Sequence, residues 1–172
     1  AACQSTTERA RGEVRQVHID ARLLAESAKA KTSLEELRKL QAKLAADLAG
    51  VHDRMRADRD LDRLLRRQYA AYDKVSGAYS LVIDDREHER AMSACTGPPN
   101  YAHPRDPLVE FEFFDKWNKW MECSEGLKNF WPSFIHRPEQ LGFDPNADTF
   151  QSAQSCLASA EDLLWGRGAK AH

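Results

Sequence analysis

The sequence predicts an all-α protein. It reads as a long antiparallel helical hairpin or bundle with coiled-coil-like seams, followed by an aromatic-rich helical region among irregular Pro-rich loops. Three observations carry this. Apolar residues recur at Leu34, Leu37, Leu40, Leu44, Leu48, Val51 and Met55, in steps of three or four, the spacing of a helix packed along another helix. The spacing returns at Leu61, Leu65, Gln68, Tyr72, Val75, Tyr79 and Val82. No strand-like alternation runs for more than a few residues.

Residues 1–12 are polar and read as a flexible N-terminus. From Glu13 the pattern is helical, with Val14, Val17, Ala21, Leu24 and Ala28 on one face. Ser33 with Glu36 three residues on matches a capping box, which starts a new helix. No Gly or Pro lies between Gly12 and Gly50, so a turn at 32–33 lacks the usual turn residues. Both a break there and a continuous helix stay open. At Arg56–Asp60 the seam loses phase, and Asp58 or Asp60 is placed to cap a fresh helix. A break here folds two long helices antiparallel within residues 13–95.

Thr96-Gly97-Pro98-Pro99-Asn100 stops the helix and opens a Pro-rich linker over 96–106. Asp106-Pro107 restarts helix with a cap followed by Pro at the first helical position. That helix is expected to reach Cys123, with Gly126 and Pro132 interrupting the pattern past its end. Residues 136–147 read as coil. Asp148 caps a last helix with Phe150, Ala153, Cys156 or Leu157, Ala160, Leu163 and Leu164 inward, and Gly166 ends it. The C-terminal helical region is thus 107–166, and 167–172 is a tail.

The bulk composition narrows the function classes. A chain of 172 residues, 42% hydrophobic, has enough apolar material for one core, and 30% charged residues give that core a solvated surface. Residues 1–96 hold 18 Lys+Arg against 16 Asp+Glu, and the remainder 7 against 11. Neither part has the basic excess of a nucleic-acid footprint, so no nucleic-acid partner is expected. No apolar run reaches the ~18–20 residues of a transmembrane segment. Ala1-Ala2-Cys3 resembles the remainder of a cleaved signal, which points to an extracytoplasmic (periplasmic or secreted) or organellar location and makes Cys3 a candidate lipid anchor. None of Cys3, Cys95, Cys123 and Cys156 forms a C-x-x-C pair. One disulfide among Cys95, Cys123 and Cys156 is the expectation, with the pairing open.

Candidate chemistry is sparse. Asp84, Asp85, Glu87, His88 and Glu89 form the densest set of ligand-type side chains, and Asp85-x-x-His88 has the carboxylate-x-x-His spacing of di-iron bundles. A second such pair is missing, because Arg15 and Ala49 precede His18 and His52 by three. A solvated helix end explains the run more simply, and no metal or other cofactor is expected. His103, His136 and Cys123 lie on or near loops, with nothing local to bring them together. No phosphate loop, G-x-S-x-G or H-E-x-x-H occurs.

The block Phe111–Phe134 is dense in Phe and Trp. It reads first as core where the C-terminal helices meet the hairpin. The alternative is that Phe111, Trp117, Trp120 and Trp131 face a partner, since aromatics anchor interfaces. Tyr69, Tyr72 and Tyr79 read as core or half-buried rings with hydrated hydroxyls. The function expected is a non-catalytic helical interaction protein, an accessory or scaffold subunit in a hetero-oligomeric assembly or a homodimer. A periplasmic inhibitor or immunity-type protein that blocks a partner enzyme is the second reading. An enzyme or metal protein with a site near Asp84, His88 and His52 is the third.

Overall fold

A computed structural model describes residues 5–95, 107–130 and 148–166, apart from the side chains of 88, 91–94, 107–110 and 124–130. Helix α1 spans Thr6–Lys29. The Ser5 hydroxyl accepts from the Glu8 amide at 3.2 Å, and Ala10 is buried, so the helix is established well before Glu13. The expectation of a flexible stretch through residue 12 is corrected: Ser5-Thr6-Thr7-Glu8 is itself a capping-box sequence, and Ala10 extends the apolar stripe by one turn.

α1 stops without glycine. The Thr32 amide donates to the Ser27 carbonyl at 3.1 Å and Lys31 to Ala28 at 3.4 Å, the paired bonds of a Schellman stop. Lys31 takes the left-handed position, with φ 56°. Helix α2, Leu34–Ala57, begins where the Ser33 hydroxyl accepts from the Glu36 amide at 3.3 Å. Asp58 is the whole connection to helix α3, Arg59–Ala94. Its amide closes α2 on the Arg54 carbonyl at 3.1 Å, and its Oδ1 accepts from Asp60 and Leu61 at 2.9 and 3.2 Å. Helix α4, Pro107–Phe130, continues through Gly126, where the sequence predicts an interruption. Helix α5, Thr149–Trp165, is capped by Asp148, whose Oδ1 accepts from Phe150 at 2.8 Å and Gln151 at 3.3 Å, and it ends at Gly166, φ 86°.

Cross-helix partners set the arrangement. Glu13 pairs with Arg54 and Asp20 with Lys43, so α1 and α2 run antiparallel. Glu35 pairs with Arg90 and Arg38 with Asp84, so α2 and α3 do too. Arg22–Glu161 and His18–Trp165 together set α5 antiparallel to α1. Arg86 of α3 stands over the Phe150 ring of α5, 5.8 Å from its centroid, and its Nη2 donates to the Ala28 carbonyl at the end of α1 at 2.9 Å. The result is an up-down-up-down bundle of α1, α2, α3 and α5, with α4 intervening between α3 and α5 in the chain.

The core follows the predicted stripes. Val17, Leu24, Leu37, Leu44, Leu65, Tyr72, Val75, Tyr79 and Ile83 are fully buried. Ala153, Leu157 and Ala160 line the inner face of α5, but Leu163 is exposed, because its position has rotated off the stripe by the last turn. No described residue of α4 belongs to the core. The first reading of the aromatic block is therefore corrected for Phe111, Phe114 and Trp117: the four-helix core closes without them.

Candidate functional site

Helix α4 is fastened to the end of α3 by a disulfide between Cys95 and Cys123, with Cα atoms 6.0 Å apart. Cys156 is a free thiol, half-buried on α5, and burial pushes its pKa up, away from the reactive thiolate. Along α4 the exposed large side chains are Phe111 (74%), Phe114 (50%), Trp117 (36%) and Met121 (37%). At 3.6 residues per turn these fall within roughly 120° of one another, so they form one face. Trp117 packs against Phe113 at 6.0 Å and Trp120 at 5.3 Å between ring centroids, which braces the stripe from behind. Trp120 is half-buried, and Trp131 lies outside the described residues. Sequence spacing alone does not separate the exposed ring of Phe111 from the braced ones.

Two members of the acidic run on α3, Asp84 and Glu87, are paired with a cation. Arg38 of α2 grips Glu87 with Nε to Oε1 at 3.0 Å and Nη2 to Oε2 at 2.6 Å, and it also bonds the buried Asp84 carboxylate. These two carboxylates hold the Arg38 guanidinium still more firmly in its charged form. A bidentate arginine uses the lone pairs that a metal would take. His52, the other expected contributor, stacks on Tyr69 at 5.4 Å. Among the described residues no group of three or more His, Cys, Asp and Glu side chains is arranged around a metal position. Elsewhere in the interior, Asp20 takes Lys43 at 2.8 Å and Gln16 at 3.1 Å. Burial pushes its carboxyl above the usual carboxylate range, and neighbouring Asp47 pushes the same way.

Sequence reasoning missed one polar cluster, where the C-terminal end of α5 meets the middle of α1 and α3. His18 is buried on α1, its Nδ1 2.6 Å from the Tyr72 hydroxyl of α3 and its Nε2 3.4 Å from the Trp165 Nε1 of α5. An indole N–H only donates, so Nε2 is the acceptor. A neutral imidazole then carries its proton on Nδ1 and donates it to the Tyr72 oxygen. Burial lowers the His18 pKa, with Arg22 pulling the same way and Glu161 opposing. Tyr72 and Tyr79 are both fully buried, so the expectation of hydrated hydroxyls is corrected. The Tyr79 hydroxyl has no hydrogen-bond partner among the described residues, and its pKa is pushed up to about 12 by burial. The missed signal is His18 standing in the α1 stripe next to Val17. Its partners, 54 and 147 residues away, are invisible to local pattern.

Fold and site together define an all-α bundle carrying a disulfide-tethered, aromatic-rich helix. No helix among the described residues is long and apolar enough to cross a membrane. No protein-family model, no curated protein and no solved structure matches this chain.

Proposed function

We propose that this chain is a non-catalytic interaction protein, an accessory subunit of a larger assembly, and that α4 is its docking element. One observation carries the reading: no described residue of α4 belongs to the four-helix core, and α4 turns Phe111, Phe114, Trp117 and Met121 outward on a single face. Large apolar side chains in a contiguous row on an otherwise charged helix are costly in water and are the anchors of helix-in-groove recognition. Glu112 and Asp115 on this helix, with Lys116 and Lys119, give the groove a rim of mixed charge to match. The occupant is a different protein with an apolar groove. The Cys95–Cys123 disulfide supports an oxidising compartment, outside the cytosol or within an organelle.

Photo-crosslinking tests this. With a photoreactive phenylalanine at Phe111, native extract should yield one discrete hetero-adduct that excess unlabelled protein competes away. The same probe at Ile19, exposed on α1, should not. Trp117→Ala should abolish the adduct and leave the melting temperature unchanged, since no described α4 residue is in the core. An adduct with a second copy of the chain, or equal labelling from both positions, would remove the proposal. If the adduct proves to be an enzyme whose activity is lost on binding, the inhibitor form of the same docking is the right one.

A further inference from the structure

A cleft of about 310 Å³ opens at the end of the bundle remote from the α2–α3 ion pairs. Val14 and Leu65, both buried, form its floor, while Leu64 and Trp165, 44% and 42% exposed, form its walls. Arg11 and Arg15 of α1 stand in its lining, and Gln68 is the other polar side chain there. The volume lies at the lower end of the range of small-molecule sites.

The electrostatics select the kind of occupant. Arg11 and Arg15 are four apart, so both project from one helix face and repel one another. Neither has an ion pair among the described residues, whereas Arg22, Arg38, Arg54, Arg66 and Arg90 all do. The first turns of α1 and α3 stop short of the lining, which begins at Arg11 and Leu64, and the helix end that borders it is the C-terminus of α5, so the positive charge at the cleft comes from the two guanidiniums. The Trp165 indole N–H is turned to His18, so this wall presents ring carbon to the cleft. Apolar walls, a fixed hydrophobic floor and two guanidiniums without a counter-ion describe a receptor for a molecule greasy at one end and negative at the other.

We propose that this cleft binds a small amphiphilic anion: a carboxylate on an apolar chain, the chain against Leu64, Leu65 and Trp165 and the carboxylate between Arg11 and Arg15. Two guanidiniums bracketing one carboxylate satisfy its oxygens by charge-assisted bonds and relieve their own repulsion. This site is separate from the α4 face, so it stands or falls independently of the docking reading.

Calorimetric titration of the full-length, disulfide-intact protein with decanoate tests it, with decanol as the neutral match. Decanoate should bind saturably at one site per chain, and decanol at least about tenfold more weakly. The double variant Arg11→Gln/Arg15→Gln, which removes no ion pair, should lose at least about tenfold in decanoate affinity and keep its helix content. Leu64→Glu, a change at an exposed position, should abolish binding through both charge and shape. Trp117→Ala on α4 should bind as the parent does. Equal affinity for decanoate and decanol, parental affinity in both cleft variants, absence of saturable binding, or loss of binding in Trp117→Ala would each overturn the assignment.

Discussion

Tyr72 and Tyr79 stand two turns apart on the same face of α3, and both rings are fully buried. Their hydroxyls differ in kind. The Tyr72 oxygen receives the His18 ring at 2.6 Å, whereas that of Tyr79 has no partner among the described residues. Tyr72→Phe strands a buried imidazole N–H and should cost about 1–3 kcal/mol. Tyr79→Phe removes a hydroxyl that was desolvated without return, so it should be neutral or stabilising by up to about 1 kcal/mol. Denaturant melts of the two variants side by side check this. The same tyrosine pair frames a pH effect. His18 has its folded pKa below 6.5, so the folded chain resists a proton that the unfolded chain accepts. Stability is therefore full above about pH 6.5 and is lost as the pH falls through that value toward the lower folded pKa. Protonation also sets an Nε2–H against the Trp165 N–H, two donors face to face. Between about pH 7.5 and about pH 5.5 the parent should lose stability more steeply than His18→Gln. Equal slopes would mean that His18 does not titrate differently on folding.

At the level of the element, the two breaks in the helical half show how a short side chain or a single dihedral ends a helix. A cap at Asp58 or Asp60 was legible because a carboxylate before a helix has a clear partner in the amides two and three residues on, and the bonds to Asp60 and Leu61 at 2.9 and 3.2 Å select Asp58. The Lys31 turn was legible only in part. Ser33 announced α2, but a Schellman stop usually carries Gly at the left-handed position and here carries Lys. The left-handed conformation costs an L-residue about 1–2 kcal/mol. Lys31→Gly should recover part of it, about 0.5–1 kcal/mol, and raise the melting temperature by roughly 2–4 °C. Lys31→Ala, with the same handedness, should leave it unchanged. The early start of α1 was missed for the opposite reason. Its Ser5 cap and Glu8 are ordinary polar residues until Ala10 is seen to be buried.

For the whole molecule, the division between a four-helix core and a fifth helix that a disulfide joins to it has a measurable consequence. A loop of 28 residues closed by a disulfide constrains the unfolded chain by about 3–4 kcal/mol when the native state orders the same loop by other means. Here no described residue of α4 contributes to the core, so reduction frees both states and the two effects largely cancel. Reduction, or Cys123→Ser, should shift bundle unfolding by under about 1 kcal/mol. Protease cleavage near α4 should rise sharply. A large loss of bundle stability on reduction would show that α4 is a structural element, and would weaken its reading as the docking helix.

Helix identity, inner faces and most caps were legible in this chain because they depend on residues within one or two turns of each other. Leu37, Leu44, Tyr72 and Asp148 carry that information locally. The pairings that give the molecule its chemical character are of another kind. Cys95 meets Cys123 rather than Cys156, Arg38 claims Asp84 and Glu87, His18 reaches Tyr72 and Trp165, and Phe111 faces outward although its neighbours are braced. Each depends on the register and rotation of one helix against another. Those are set by the packing of the whole core, and no window of sequence contains both partners.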